Sequence, residues 1–385
     1  MTGARSEDIR ESQRRWRAVR DALKQRRHEL AVAAGALYPD VPRVEGTGLL
    51  CRNDWLGGAP IELNRVDLRW AGHPPVPPIT ASSAESSSAR PPDDAGHRFD
   101  TYADAVGALD RPALFENRPI YRLLDADLHH PGGRLDLTSG CYFDAISVAE
   151  GLAHEFAAAT RDRGPQTDLS LLPLRSAIGD PCDLSRRPVS VAITTLTLRR
   201  TRSGEASFLL HWRDPAKVTH AAGMYQVMPV GIFQPADDNL ASVCHDLNLW
   251  HSMAREFSEE LLGEAEDYVR LGSPVRYEQW GFCRRLTDAR QAGSLRVSIL
   301  GLGIDPLTLV ADILAVAVFD AQLFDEVFDG LVAVNSEGNL ASNGSTTGFA
   351  FTAASVDRFS GSEPTQAAGA AVLKLAWTHR QSLLS

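Results

Sequence analysis

The spacing of apolar residues predicts helices and strands along most of the chain. An apolar stripe of helical period predicts a helix over residues 1–33, and a second stripe predicts one over residues 143–160. Alternating apolar residues and β-branched runs predict strands between and after these helices. The predicted strands cover residues 47–55, 60–70, 118–124, 134–137, 189–200, 207–212, 225–228, 280–285 and 295–301.

A third helical pattern covers about residues 245–266. Its apolar residues share one face, and they are Leu247, Leu249, Trp250, Met253, Phe257 and Leu261. Residues 324–328 are typical of a helix, whereas residues 306–316 fit either a strand or a short helix. A last helix is predicted over residues 363–384, with Pro364 in its first turn, where proline is favoured. This order of strands and helices predicts an α/β fold.

The length of 385 residues predicts two domains. A polar stretch punctuated by prolines, residues 161–187, places the boundary near residue 180. We therefore expect a smaller α+β domain over residues 1–180 and a second domain over residues 181–385. Within the first, the Pro- and Ser-rich residues 73–96 have almost no core-forming side chains, which predicts a flexible loop.

Composition and charge narrow the classes of function. A hydrophobic content of 44% with 23% charged residues is typical of a soluble globular protein, which favours a cytoplasmic location. The net charge of -10 makes nucleic acid or an anionic membrane an unfavourable main partner. No segment reaches the roughly 20 apolar residues of a membrane span; the longest apolar run, residues 307–319, is interrupted by Thr308 and Asp312 and is interpreted as core. The five cysteines include no C-x-x-C pair, so no structural zinc site is indicated.

One alternative rests on the N-terminal helix. Residues 1–30 carry nine Lys/Arg against five Asp/Glu, and a basic helix can contact nucleic acid, as in a DNA-binding regulator. Charges of both signs are interspersed, however, and no helix-turn-helix partner follows. The pattern therefore favours a solvated face on a docking helix.

The strongest candidate for chemistry is a group of three acids on the predicted helix 245–266. Glu256, Glu259 and Glu260 stand at i, i+3 and i+4, so they share one helical face. Their mutual repulsion raises their pKa values, and a bound divalent cation would relieve it. Oxygen ligands favour Mg²⁺ or Mn²⁺. The plainer interpretation is an exposed helix face on which Arg255 pairs with Glu259.

The sequence around these acids resembles the Nudix box, the pattern G-x5-E-x7-R-E-U-x-E-E-x-G-U of Nudix hydrolases, in which U is a bulky apolar residue. Residues 255–260, Arg-Glu-Phe-Ser-Glu-Glu, match its R-E-U-x-E-E core, and Gly231 stands where the box has its first glycine. Asp237 falls where the family has glutamate. The spacing departs from the family at two places: seventeen residues separate Asp237 from Arg255 instead of seven, and the last glycine, Gly263, comes one residue late.

The resemblance implies an α/β/α sandwich in the C-terminal part of the chain and hydrolysis of a nucleoside diphosphate linked to another group. It also implies that Glu256, Glu259 and Glu260 bind Mg²⁺ or Mn²⁺, and that Arg255 orients them as part of the catalytic set. The expected substrate is a small nucleotide-type molecule, and a homodimer stays open. Candidate substrate-binding residues are Gly231, Phe233 and Tyr225, with Trp280 as a further aromatic. Candidate general bases from outside the box are Glu278, Asp325 and Glu326.

The competing hypothesis is a Nudix-like protein with weakened catalysis that senses a nucleotide or binds a partner. The lengthened loop and Asp237 support it, because the geometry of the box is what positions the metal ions in that family.

Overall fold

The computed structural model describes residues 2–73, 75–129, 132–163, 167–213, 223–264, 274–329, 331, 338–341 and 348–385. The described chain is a mixed α/β structure. Its helices are α1 Thr2–Gly35, α2 Tyr102–Leu109, α3 Tyr142–Arg163, α4 Pro173–Ile178, α5 Leu240–His245, α6 Leu249–Leu262, α7 Gly281–Ala292, α8 Ala321–Val327, α9 Ala353–Asp357, α10 Ala367–Thr378 and α11 Arg380–Leu383. Its strands are β1 Leu56–Glu62, β2 Asp67–Trp70, β3 Pro119–Asp127, β4 Arg134–Cys141, β5 Val191–Arg200, β6 Ala206–Phe208, β7 Leu210–Arg213, β8 Tyr225–Val227, β9 Val230–Ile232, β10 Leu295–Ile304, β11 Ala311–Asp320, β12 Gly338–Ala341 and β13 Phe349–Ala350.

The largest sheet has seven strands in the order β1-β10-β11-β5-β6-β13, and β9 also pairs with β5. Strands β11 and β5 are parallel, whereas the other pairs in this sheet are antiparallel. Every residue of β11 except the last is buried, as expected for a central strand covered on both faces. Strand β9 is short, and its three residues Val230, Gly231 and Ile232 line the site described below.

Two smaller sheets, β12-β7-β8 and β2-β4-β3, complete the described strands. The second of these lies wholly in the first half of the chain. Strand β1, also from the first half, instead pairs with β10 in the large sheet. One hydrophobic core draws residues from both halves, from Tyr38 to Leu383. The domain boundary near residue 180 stays a prediction, and any such division has to cross the large sheet.

Several predicted elements are confirmed. Helix α1 covers the first predicted helix and is kinked at Arg26, and α3 covers the second. Strands β3, β4, β5, β8 and β10 lie where alternation or β-branched runs predict them. Helix α6 contains the three candidate acids, although it begins later and ends earlier than predicted.

Other predicted elements are wrong. The strand predicted over residues 280–285 is the start of helix α7, in which Cys283, Leu286 and Ala289 form a buried face of period three; six residues are too few to separate this spacing from alternation. Residues 53–55 form a 3₁₀ turn before β1 instead of part of a strand. The last helix begins at Ala367 because Pro364 lies in extended backbone, where its carbonyl accepts the Tyr225 N–H.

The Pro- and Ser-rich residues 73–96 contain a short 3₁₀ helix, Ala84–Ala89. Ser86 and Ala89 are buried, and Trp16 Nε1 donates to the Ala89 carbonyl over 2.8 Å. Small side chains and backbone groups therefore dock this stretch against α1, a contact that hydrophobic patterning does not reveal. None of the helices in the described ranges is long and apolar enough to cross a membrane.

Candidate functional site

A large cavity lies between the N-terminal helix and the helix that carries the three acids. Its volume is about 1370 Å³, which exceeds the roughly 300–1,000 Å³ of most small-molecule sites. Residues of α1 and α3 form one wall, β5, β9 and β11 contribute the sheet side, and α6 and the start of α10 close the remaining sides. Both halves of the chain are therefore needed to form it.

The three candidate acids of α6 all line this cavity. Glu256, Glu259 and Glu260 are half-buried, so the interpretation of a fully exposed helix face does not describe them. Glu260 Oε1 accepts the backbone N–H of Val230 in β9 over 3.0 Å. The Glu256 carboxylate lies directly over Gly231, because a Cβ placed on Gly231 would stand 1.9 Å from Glu256 Oε1. Glycine is thus the residue that lets this carboxylate approach the strand.

Local sequence explains why α6 presents these acids in a fixed position. Asn248 caps its start, accepting the N–H groups of Trp250 and His251. Gly263 ends it in the left-handed region, at φ 67°, which is unfavourable for other residues. On the opposite face, Phe257 is fully buried and meets Phe319 of β11 with ring centroids 5.6 Å apart. The late glycine of the sequence pattern is therefore a helix cap.

Arg255 is buried and lies outside the cavity lining. Its guanidinium donates to Asp246 Oδ2 over 3.2 Å, to Tyr277 Oη over 2.6 Å and to the Gln234 carbonyl. Tyr277 in turn donates to Asp246 Oδ1 over 2.8 Å. These bonds fix α6 to the loop that follows β9. The expected orienting role of Arg255 is thus compatible with its position, whereas direct contact with substrate is not.

The residues that lengthen the box loop include helix α5 and Asp246. Asp246 is fully buried, and besides Arg255 and Tyr277 it accepts the Ala236 N–H over 2.7 Å. The additional segment therefore supplies the anionic partner of Arg255. Asp237, at the position of the family's glutamate, accepts the Asn239 N–H over 2.9 Å and does not line the cavity.

The acid trio offers the oxygen ligands that a hard divalent cation prefers, although the three carboxylates do not all lie within 4.8 Å of one another in the described part of the chain. The three carboxylates on one helical face line the cavity. Because Gly231 has no side chain, the Glu256 carboxylate lies against strand β9. Each of the three also has a partner within the folded chain. A bound cation would share the carboxylates with those partners, such as the Val230 N–H that Glu260 Oε1 accepts.

A different group of potential metal ligands lies nearby. One ligand atom each from His245, Asp246 and His251 falls within 4.8 Å of the others. Both oxygens of Asp246 already accept hydrogen bonds, one of them from the Arg255 guanidinium, whose charge would repel a cation. Burial lowers the pKa of His251 to about 4, and its ring stacks on Tyr277 at 3.7 Å. This cluster is better explained as part of the Arg255 network.

The predicted aromatic contacts are not on the cavity. Phe233 is fully buried and packs against Tyr121, while its neighbours Ile232 and Gln234 line the cavity. Tyr225 lies between Trp212 and Phe359, while its neighbours Met224 and Gln226 line the cavity. Both positions follow from the alternation of side chains along an extended chain. Trp280 precedes α7 and is also outside the lining.

The three candidate bases also lie away from the cavity. Asp325 pairs with Arg199, and Glu326 pairs with Arg285 over 3.3 Å. Glu278 is exposed. None of the three is among the lining residues, and a role as general base stays a prediction.

Sequence patterns missed two groups of cavity residues. Asp312 of β11 lines the cavity and accepts a hydrogen bond from Thr194 Oγ1 over 2.8 Å; the signal was an acid inside an otherwise apolar run. On the other wall, Arg20 and Arg27 of α1 are buried and pair with acids of the same chain. Arg20 bonds to Asp110 over 2.8 Å and Arg27 to Glu150 over 2.6 Å.

Comparison with protein-family models finds no family that matches this chain, and no curated protein matches it either.

Proposed function

We propose that the protein is a divalent-metal-dependent hydrolase of a nucleoside-diphosphate-linked or related pyrophosphate substrate. The observation that carries the proposal is the convergence of Glu256, Glu259 and Glu260 on one cavity, beside the backbone of Gly231. The resemblance of residues 255–260 to the Nudix box supports it, as does the packing of α6 against the large sheet.

The chemistry suits these residues. A pyrophosphate carries several negative charges that repel an attacking water, and Mg²⁺ or Mn²⁺ would neutralise that charge and activate the water. The chain's own contribution is to hold the three carboxylates in place. Val230 fixes Glu260 through its N–H, and Arg255 holds α6 against the loop after β9.

The alternative of a nucleotide-sensing or partner-binding protein rests on the same cavity. Its specific support is that each acid of the trio has a partner within the chain, which would weaken metal binding. The DNA-binding alternative has less support, because Arg20 and Arg27, two of the basic residues of α1, face inward and pair with Asp110 and Glu150.

The test is a panel of nucleoside diphosphate compounds incubated with the protein and Mg²⁺, with release of phosphate or a monophosphate as the readout. We expect Glu259→Gln and Glu260→Gln to lower turnover by about 100-fold or more, the usual effect of removing a group that stabilises the reacting charge. The matched control is Glu278→Gln, an exposed acid outside the cavity. Tight binding without turnover would favour the sensor, and equal turnover in all variants would refute the proposed site.

A further inference from the structure

Asp312 is a buried carboxyl group that faces the same cavity as the acid trio but lies on strand β11, whereas the trio lies on α6. Its side chain lines the cavity, yet only 9% of the residue is exposed. Thr194 Oγ1 donates to Oδ1 over 2.8 Å. Within the described part of the chain, no group donates a hydrogen bond to Oδ2. Oδ2 is not sealed from the cavity, so a bound molecule can donate a hydrogen bond to it.

Neighbouring groups do not satisfy Asp312 because they are engaged elsewhere. Asp305, on the turn before β11, accepts from Leu307 N, Thr308 N and Thr308 Oγ1. Across the cavity, Arg27 of α1 bonds to Glu150 of α3 over 2.6 Å. The surrounding side chains supply a donor for Oδ1 alone, so Oδ2 is left to whatever occupies the cavity.

The sheet register sets the separation between Asp312 and the trio. Asp312 stands opposite Ala192 of β5, and Ala192 stands opposite Ile232 of β9. Two strand spacings make the distance from Asp312 to Ile232 about 10 Å. Ile232 adjoins Gly231, over which Glu256 lies. A molecule that contacts both the trio and Asp312 therefore has to span about two strand spacings, which favours one longer than a single phosphate.

We propose that Asp312 is a specificity-determining residue that accepts a hydrogen bond from a hydroxyl or amino group on the non-phosphate part of the substrate. The inference rests on the proposed function for the end of the cavity that holds the phosphates. The ionised Asp312 carboxylate accepts hydrogen bonds and offers no donor, so binding is measured at pH 8, above the pKa of about 7 to which burial raises this group. A site built in this way discriminates strongly against molecules that lack the matching donor, because the carboxyl group is then buried without a partner.

The experiment is calorimetric binding to the 385-residue chain with Mg²⁺ present. The long probes are ADP-ribose and UDP-glucose, and the short probe is inorganic pyrophosphate. We expect Asp312→Leu to weaken binding of at least one long probe by about 10- to 100-fold, the worth of a hydrogen bond to a charged group. Binding of pyrophosphate should not change, because it does not reach Asp312. Asp312→Asn serves as a second variant, in case leucine disturbs the fold, and should weaken the long probe in the same direction.

The matched control is Glu278→Gln, an exposed acid outside the cavity, which should retain binding of the long probe. Equal weakening of long and short probes, or no weakening by either Asp312 variant, overturns the inference. So does a wild-type protein that binds neither long probe.

Parallel turnover measurements separate this inference from the proposed function. If the wild type binds a long probe, loses it on substitution of Asp312, and hydrolyses nothing, Asp312 keeps its role and the hydrolase proposal fails. If turnover depends on Glu259 but not on Asp312, the hydrolase proposal stands and the inference fails.

Discussion

The buried carboxyl of Asp312 makes a quantitative prediction for stability. Burial, with a smaller contribution from Asp305, raises its pKa from 3.8 to about 7, although the hydrogen bond from Thr194 opposes this. A pKa higher in the folded chain means that folding takes up a proton between these two values, so stability falls as pH rises through that range. The shift of about three pKa units, at about 1.4 kcal/mol each, gives a full penalty of about 4 kcal/mol above pH 7.

The assay is urea unfolding of the wild type and Asp312→Asn at several pH values, followed by tryptophan fluorescence. Subtracting the two free energies of unfolding removes the contribution of groups that both proteins share. Between about pH 5 and pH 8 we expect the wild type to lose about 3 kcal/mol relative to the variant. Thr194→Val should shift this loss to higher pH, because it removes the bond that lowers the pKa of Asp312.

Parallel curves for wild type and Asp312→Asn over that range would refute the reasoning. They would mean that Asp312 is already ionised in the folded chain at pH 5. Equal m-values for the two proteins are the check that the variant unfolds from a comparably compact state.

Three further predictions concern helix α6 and the strand β9 that it contacts. Gly231→Ala places a Cβ 1.9 Å from Glu256 Oε1, so Mn²⁺ affinity should fall while the melting temperature changes little. An unchanged Mn²⁺ affinity would contradict the close approach of Glu256 to Gly231 as a requirement for metal binding. Arg255→Met leaves the buried Asp246 without its cation and should destabilise the fold by about 3–5 kcal/mol in urea unfolding, the usual effect of breaking a buried pair; a loss below about 1 kcal/mol would contradict this. Gly263→Ala forces alanine into the left-handed region and should lower the free energy of unfolding by about 1–2 kcal/mol. Gly281 has no positive φ, so Gly281→Ala should lower it by less. Equal losses would contradict the role of Gly263 as the cap of α6.

The sequence predicts the local elements of the site better than their assembly. The helical face shared by Glu256, Glu259 and Glu260 follows from spacing alone, as do the strands β5 and β10. The cavity does not, because its lining combines residues of α1 with residues of α6, which lies much later in the chain. No local pattern encodes that arrangement.

Sequence patterns do not show which way a side chain faces when a shift of one residue decides it. Phe233 was expected on the site, yet alternation turns it into the core and presents Ile232 and Gln234 to the cavity. Asp312 stands in an apolar run and was interpreted as an interruption of core, although a carboxyl in a central strand is costly enough to mark a site. The free-energy cost of burying a carboxyl group marks Asp312 as a candidate site residue, whereas motif matching does not.

The most direct test of the central claim is Mn²⁺ binding by electron paramagnetic resonance, which reports the free ion. The wild type should remove free Mn²⁺ from solution saturably, and the combined variant Glu256→Gln, Glu259→Gln, Glu260→Gln should lose this binding. His251→Ala, in the neighbouring His245–Asp246–His251 cluster, and Glu278→Gln should bind as the wild type does. Binding that survives in the triple variant, or that disappears only with His251→Ala, would contradict a metal site formed by the acids of α6.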